Sequence, residues 1–383
     1  MHDVPKLRLR RLILQDFRSY PSLNQNFDHD SIVVAGPNGT GKTNLLEAIS
    51  LLSPGRGLRG AKGAELPRHA EAALAWAVAG HFAAPSGPVT IGTGAEAGAE
   101  RRSFRLDGNA VRSQAELSRH VALLWLTPQM DRLFQESAGG RRRFLDRLVW
   151  SLEPTHARDV AAHDTAMTQR NRLLAEGRRD AGWLAALEDT MARHAVAAVA
   201  ARQSTLAGLN GTLRAGLSGS FPSASLSLIC PIADALAEQP ALAVEEALRS
   251  GLAADRARDT AAGGARQGAH RTDLRMVLLP QAIPAELCST GEQKALLVSI
   301  VLAQAALVAA HRGFAPLLLL DEVAAHLDPG RREALFQALT SLPAQCFLTG
   351  TEVAPFAPLR GGAQFLEAIP GGLRRLTDLP VPG

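Results

Sequence analysis

Gly36-Pro-Asn-Gly-Thr-Gly-Lys-Thr43 follows the apolar triplet Ile32-Val33-Val34 and precedes Asn44-Leu-Leu-Glu-Ala-Ile-Ser-Leu-Leu52. The segment satisfies G-x-x-x-x-G-K-[ST] at every defined position. The triplet reads as a buried strand and the following run as a helix, the context that this loop requires. Glycine lets the backbone curl until its N–H groups point at a phosphate, and the helix adds its positive end. Gly36, Pro37, Asn38, Gly39, Thr40 and Gly41 are therefore expected to cradle a nucleoside triphosphate. Lys42 is expected to reach the β- and γ-phosphates as a compact charge, and Thr43 to ligate Mg²⁺.

A second signal lies near the other end of the chain. Pro316-Leu-Leu-Leu-Leu320-Asp321-Glu322 reads as a buried strand tipped by two carboxylates. Ligands of open α/β sheets bind at such tips. Asp321 is expected to hold Mg²⁺ and Glu322 to polarise an attacking water. Between the two signals, Ser289-Thr-Gly-Glu-Gln-Lys294 starts a long apolar run. Ser289 or Thr290 suits an N-cap, and Gly291 lets a ligand approach the backbone. Read alone, this segment is an ordinary helix start. Beside a phosphate loop it is a second anion-ready helix end in one chain.

Composition bounds the rest. The chain has 383 residues, 46% hydrophobic and 20% charged, enough for a large core with an insertion. The net charge of +4 and a pI near 9.3 fit an anionic partner. Lysine occurs only at positions 6, 42, 62 and 294, and two of these four fall inside the motifs. Cys230, Cys288 and Cys346 are widely spaced and form no CxxC pair. Neither a disulfide framework nor a zinc site is expected, and a reducing cytoplasm is the simple inference. The start, Lys6-Leu-Arg-Leu-Arg-Arg-Leu-Ile-Leu14, alternates charge and apolar residues as a strand does, unlike a signal peptide. The run 295–310 is interrupted by Ser299 and Gln304 and reads as a buried helix, with no membrane association expected.

Three segments are expected: 1–125, 126–265 and 266–383. The first holds short strands, among them a hairpin strand at 103–106 turned by Asp107-Gly108. The second reads as a helical arm. A helix opens at Gly139-Gly140, Pro154 breaks it, a second covers 155–176 and a third 180–217. Trp183, Leu187, Met191, Leu206, Leu209 and Leu213 form a packing stripe on the third. Residues 253–269, rich in Gly, Ala and Arg, read as a mobile loop. The third segment returns to alternating strands and helices.

The order of these motifs resembles the ABC/SMC ATPases, and in detail the RecF family. Lys42 and Ser289 are 247 residues apart, longer than in transporter ATPases and far shorter than across an SMC coiled coil. Leu12-Ile-Leu-Gln-Asp-Phe-Arg-Ser19 is similar to the family's opening strand and turn. The helix after the P-loop matches nearly letter for letter, and Gly55-Arg56 lies where the family carries a Gly-Arg turn. Arg141-Arg-Arg-Phe-Leu-Asp-Arg147, Gln169-Arg-Asn171 and the run 289–297 match further family segments. The likeness extends from about residue 7 to 352. It implies an α/β ABC/SMC-type head with an inserted, short coiled-coil-like helical arm. Ser289, Gly291 and Gln293 would then close over the γ-phosphate of an opposite protomer, and Ala325-His-Leu-Asp328 would lie at the dimer seam.

Three departures from the family are visible. Gln129 stands where the family has an acidic residue after Thr127-Pro128, and is read as a Mg²⁺-sensing Q-loop residue. The family's Gly-Pro-His-Arg-Asp-Asp run is altered to Gly268-Ala-His-Arg-Thr-Asp273. Thr349 occupies the place of the transporters' switch histidine.

The resemblance implies a DNA repair and replication factor whose weak, DNA-stimulated ATPase acts as a timer. Two ATPs would close a homodimer on DNA near single-strand gaps. RecR would be the partner and RecA loading the outcome, with a place in the SOS response to damage. Arg56, Arg59, Arg141 and Arg142 are candidates for phosphate contacts, although solvated ion pairs explain any one of them equally well. Aromatic residues are only 4%, so a base-stacking platform is not evident and sequence-independent backbone binding is expected. Two other classes remain open: a transport engine, disfavoured by the long interval and missing histidine, and a structural tether, disfavoured by the complete set Lys42, Asp321 and Glu322.

Overall fold

The computed structural model describes residues 6–61, 63–68, 75–99, 101–111, 114–177, 180–216 and 221–377. Its elements, in chain order, begin with β1 (Arg8–Phe17), β2 (Tyr20–Asn26), β3 (Ser31–Ala35) and α1 (Lys42–Ser50). Next come β4 (Trp76–Ala84), β5 (Gly87–Ala95), β6 (Ser103–Leu106), β7 (Asn109–Ala110), α2 (Gln114–His120) and β8 (Leu123–Leu126). The middle contains α3 (Ala138–Leu152), α4 (His156–Ala175), α5 (Ala181–Arg214), β9 (Ser223–Ile229), α6 (Pro231–Glu238), α7 (Ala241–Ala254), α8 (Arg256–Ala262), β10 (Asp273–Leu279) and β11 (Ile283–Pro284). The chain finishes with α9 (Thr290–Arg312), β12 (Leu317–Leu320), α10 (Pro329–Ser341), β13 (Cys346–Gly350), β14 (Ala363–Ile369) and β15 (Gly372–Arg375).

Two compact units result. The first contains residues 1–131, 212–223 and 289–383, and the second 132–211 and 224–288. The inserted segment thus runs on to Cys288, past the expected limit at 265, because β10 and β11 pair beside β9 rather than with the strands at the two chain ends.

The first unit is built on a six-stranded sheet ordered β15-β14-β3-β13-β12-β8. All pairs are parallel except β14 with β15. Strands covered on both faces read as continuous apolar runs, as Ile32-Val33-Val34 and the four leucines of β12 do. Both chain ends supply strands, which brings the tips of β3 and β12 to one side. A second sheet, β2-β1-β4-β5-β6-β7, is antiparallel throughout. A bulge between Leu9 and Arg11 turns both Arg10 and Arg11 outward. The hairpin turn at Asp107-Gly108 takes positive φ at both residues, as tight hairpins require. Helix α9 is long and apolar enough to cross a membrane, but 78% of its apolar window is packed inside the unit, which makes it a core helix.

The second unit is helical with one three-stranded sheet, β11-β10-β9, that periodicity did not reveal. Leu187, Met191 and Leu206 of α5 are buried as expected, whereas Trp183 is about half exposed and falls outside the packed stripe. The expected end of this helix at Leu217 lies outside the described residues. The expected loop at 253–269 is largely helical. Two of its charges, Asp259 and Arg256, are paired within the unit: buried Arg170 donates to Glu188, Asp259 and the Leu252 carbonyl, and Arg256 donates to Glu188. Buried charges persist where they are paired and hydrogen-bonded, and each of the three Arg170 nitrogens has an acceptor here. Asp146 is held in the same way by Arg202 and His156.

Candidate nucleotide site

The loop between β3 and α1 is shaped by its glycines and braced from behind. Gly41, the N-cap of α1, has φ 103°, and a Cβ there would lie 2.5 Å from Ser19 Oγ. The turn between β1 and β2 thus fills the space that any side chain at 41 would need. The Tyr20 hydroxyl donates to the Gly41 carbonyl at 3.0 Å, and Asn44 donates to Ser19. Burial raises the Tyr20 phenol above its ordinary range, so it stays a donor. Glu47, fully buried on α1, receives Arg18 from that turn and Arg59 from the segment after the helix. Pro37, Asn38 and Gly39 remain exposed at the loop crest.

Lys42 is buried, and its Nζ donates to the carbonyls of Gly36 at 2.6 Å and Pro37 at 3.0 Å. The same Nζ lies 4.0 Å from Glu322 Oε1. The Thr43 hydroxyl donates to Asp321, 3.0 and 3.2 Å from its two oxygens. Residues far apart in sequence therefore meet because β3, β13 and β12 are neighbours in one parallel sheet. The pair formed by Thr43 and Asp321 is a hard oxygen set at a strand tip. It fits Mg²⁺, which takes one or two protein oxygens beside phosphate and water.

Thr349 completes the arrangement. Its hydroxyl donates to Asp321 Oδ1 at 2.6 Å and accepts the Glu322 backbone N–H at 3.0 Å. Glu322 sits in the left-handed region at φ 50°, a conformation that costs a non-glycine residue roughly 1–2 kcal/mol. Thr349 holds that turn and so aims the Glu322 side chain. Sequence reading placed Thr349 only as a stand-in for a histidine.

At the start of α9, Ser289 is the N-cap of a complete capping box. Glu292 N–H donates to Ser289 Oγ, and Ser289 N–H donates to Glu292 at 2.8 Å. The Ser289 hydroxyl, donating to the Glu292 carboxyl at 2.7 Å, and then the Ser289 N–H hold that carboxyl below its usual range. Ser289 and Thr290 are exposed and Gly291 is half-buried, its carbonyl accepting from Arg331. Gln293, the third residue expected at the opposite protomer's γ-phosphate, is 2% exposed on the first turn of α9.

Gln129 is the residue read from sequence as a Mg²⁺ sensor. It is exposed on the 3-10 turn Pro128–Gln135, and Asp131 instead lines a small cavity with Thr127, Lys294 and Asp321. Of the four basic candidates, only Arg56 is exposed without an ion-pair partner among the described residues. Arg59 is engaged by Glu47 and Asn44. Arg141 forms a two-pronged pair with Asp273 at 2.8 and 2.7 Å, and Arg142 donates to the Thr272 carbonyl. The altered run 268–273 is thus a partner for the arm's arginines, a role that linear reading did not show. The His326 side chain lies outside the described residues.

Comparison with known proteins agrees with this architecture. Residues 8–354 match the RecF/RecN/SMC N-terminal domain model. The chain is 46% identical to the DNA replication and repair protein RecF of Allorhizobium ampelinum over 371 residues, 96% of this chain and 99% of that one. It is 48% identical to the protein of the same name from Rhizobium meliloti over 369 residues, 96% of this chain and 98% of that one. Among solved structures, the recombination mediator protein RecF with ATPrS, of the RecFOR pathway, superposes with a TM-score of 0.85 at 22% identity, covering 98% of this chain and 100% of that chain. The Smc head domain of Pyrococcus furiosus gives 0.52 at 15% identity, covering 97% and 96%. These two show the shared fold. With the family model spanning most of its length and relatives nearly half identical throughout, the chain belongs to the RecF family of ABC/SMC-type ATPases.

Proposed function

We propose that this chain is an ATP-controlled DNA clamp of recombinational repair, acting as a homodimer near single-strand gaps in the cytoplasm. The observation that carries the reading is the convergence of Lys42, Thr43, Asp321 and Glu322 at the tips of β3 and β12, in a chain that also presents a second exposed, capped helix start at Ser289. One nucleotide needs only the first. The second serves the nucleotide of a partner head, with Ser289 and Gly291 facing its γ-phosphate. ATP bound with Mg²⁺ supplies the reaction: a phosphoryl group leaves to water and the seam between heads loses its bridging charge. Lys42 turns from its loop carbonyls to phosphate, Thr43 and Asp321 hold the metal, and Glu322 orients the water.

Hydrolysis is slow and serves release, with DNA accelerating it. RecR is the partner and RecA loading the outcome. The relatives' name, DNA replication and repair protein, and the RecFOR pathway of the solved homologue support this. The transport and tether readings lose their basis with the family membership. Duplex contact is through the phosphate backbone and independent of sequence, with Arg56 the best-placed of the original candidates; Arg141 and Arg142 are spent within the arm.

Sedimentation velocity with and without ATP and a gapped duplex tests the reading. The parent is expected to shift to dimer with ATP, further with DNA, and Lys42→Ala to stay monomeric. A parent that remains monomeric with both ligands would sink the clamp.

A further inference from the structure

The antiparallel sheet β2-β1-β4-β5-β6-β7 buries one face through Leu9, Leu12, Val78, Ile91 and Phe104. Alternate positions turn the other way, and Arg11, Gln15, Ala77 and Arg105 among them are exposed. The six strands contain four arginines and a single carboxylate, Asp16, which pairs with Arg68 at 3.2 Å. Asp107, in the turn after β6, accepts the Thr90 N–H at 2.7 Å. Of the arginines, Arg8 pairs with Asp30. Arg10, Arg11 and Arg105 are exposed and have no ion-pair partner among the described residues. Arg11 donates to a neutral amide, Asn24 Oδ1, at 2.7 Å. Protein surfaces ordinarily mix both signs of charge, so a face whose free charges are all cationic holds a positive potential.

The register sets the layout of these charges. One cross-strand row runs through Ile13, Ala79, Gly92 and Arg105. The next row along β1 starts at Arg11 and continues through His81 and Thr90. Free cations thus stand on β1 and on β6, three strand spacings or roughly 14 Å apart. Between them the side chains of Ala79 and Gly92 rise little above the backbone. The aromatic rings of these strands are all buried, so they offer bases nothing to stack on. A small, polar, cationic floor is also unlike the centre of a protein interface, which is apolar. A single strand has one row of phosphates to offer, whereas a duplex has two, flanking grooves about 6 and 12 Å wide. We propose that this face is the seat of duplex DNA, with Arg10 and Arg11 on one phosphate backbone and Arg105 on the other. The floor at Ala79 and Gly92 lets the groove edges come close. This rests on the DNA reading above and gives it a place on the head. The contacts are to phosphate, so the face binds without regard to sequence.

Anisotropy of a short fluorescein-labelled duplex, measured with ATP against salt, tests the assignment. Arg105→Ala is expected to lower the slope of log affinity on log salt by about one. Changing Arg10, Arg11 and Arg105 together to Ala should lower it by about three and weaken binding more than ten-fold. The three side chains are exposed, so ATP affinity and urea unfolding should stay parental. A Cβ at Gly92 would meet nothing closer than 3.9 Å, so a side chain fits there. Gly92→Glu should bind the duplex about ten-fold more weakly than Gly92→Gln, which has the same bulk without the charge. An unlabelled single strand of equal length should compete about ten-fold less well than the duplex. If the parent binds no duplex, the DNA reading fails and this face with it. If the parent binds while the triple variant keeps parental affinity and slope, the DNA reading stands and the face is overturned. Should the triple variant not fold, the Gly92 pair decides, and equal binding by Gly92→Glu and Gly92→Gln overturns the face. Equal competition by the single strand would overturn the assignment to a duplex.

Discussion

Replacing Thr349 by Val tests the geometry at the head of β13 with almost no change in shape. The substitution removes one hydroxyl that makes two bonds, a buried one to Asp321 Oδ1 at 2.6 Å and a part-buried one from Glu322 N–H at 3.0 Å. A bond to a charged acceptor is worth about 1.5–3 kcal/mol, and an orphaned buried N–H costs about 1–3 kcal/mol. The first unit should therefore lose about 2.5–6 kcal/mol in urea unfolding. The functional loss is separable. Glu322 holds a left-handed conformation at φ 50° that carries roughly 1–2 kcal/mol of strain, and Thr349 is the group that holds it. Once released, the turn relaxes, and the share of heads with Glu322 correctly aimed falls about 5- to 30-fold. Hydrolysis at saturating ATP should fall by that factor, with ATP affinity within about three-fold because Lys42 and the loop are untouched. Thr349→Ser, which restores the hydroxyl, should recover most of both losses. A Thr349→Val protein with parental stability and parental turnover would refute the reasoning.

Lys42→Ala should show no saturable ATP binding, whereas Ser289→Arg should bind ATP normally but neither dimerise nor hydrolyse; a Ser289→Arg variant that does both like the parent would remove the shared site. Duplex affinity measured against salt should fall linearly on logarithmic axes, and Arg56→Ala should reduce that slope by about one. Arg141→Ala should leave the slope unchanged and instead cost about 1–3 kcal/mol of stability, because it strands Asp273; a changed slope would return Arg141 to the DNA surface. The pair also predicts a pH dependence. Hydrogen bonds from Arg141 hold the Asp273 carboxyl below its ordinary range, so its stabilisation is complete above the ordinary aspartate value and lost as pH falls through the depressed folded value. Urea midpoints taken down through that acid range should fall more steeply for the parent than for Arg141→Ala, and parallel curves would contradict the assignment.

The parts of the candidate site whose local structure was legible in the sequence are those whose meaning is local. The phosphate loop, the leucine strand with its two carboxylates and the capped start of α9 each carry their chemistry within eight residues, and the fold brought the first two together. The residues whose surroundings the sequence did not show depend on turns of a few tens of degrees or on distant partners. Gln129 and Asp131 are two positions apart on one 3-10 turn, and the turn exposes the former while the latter lines the cavity. Gln293 follows the exposed helix start, yet the helical period carries it into the core. Arg141 and Arg142 look free in sequence because their partners, Asp273 and Thr272, lie beyond two long helices. Residues 253–269 have a loop-like composition, but Arg170 and Glu188 lend them a charge pattern that composition cannot show. Thr349 was visible as a residue in a familiar place, while its two bonds required the register of β12 against β13.

The sheet order also dictates how the chain must be made. β3 ends at Ala35, and the two strands that flank it begin only at Cys346 and Ala363. At roughly 5–20 residues per second, a ribosome leaves this apolar strand without either neighbour for about 15–60 s. The antiparallel sheet has no such delay, because β1, β2, β4, β5 and β6 pair with segments that emerge soon after one another. The phosphate loop is thus among the first elements synthesised and among the last to become a site. A frameshift just before Cys346 leaves Lys42 in place yet gives β3 two bare edges, and so destroys nucleotide binding as completely as the loss of Lys42 itself.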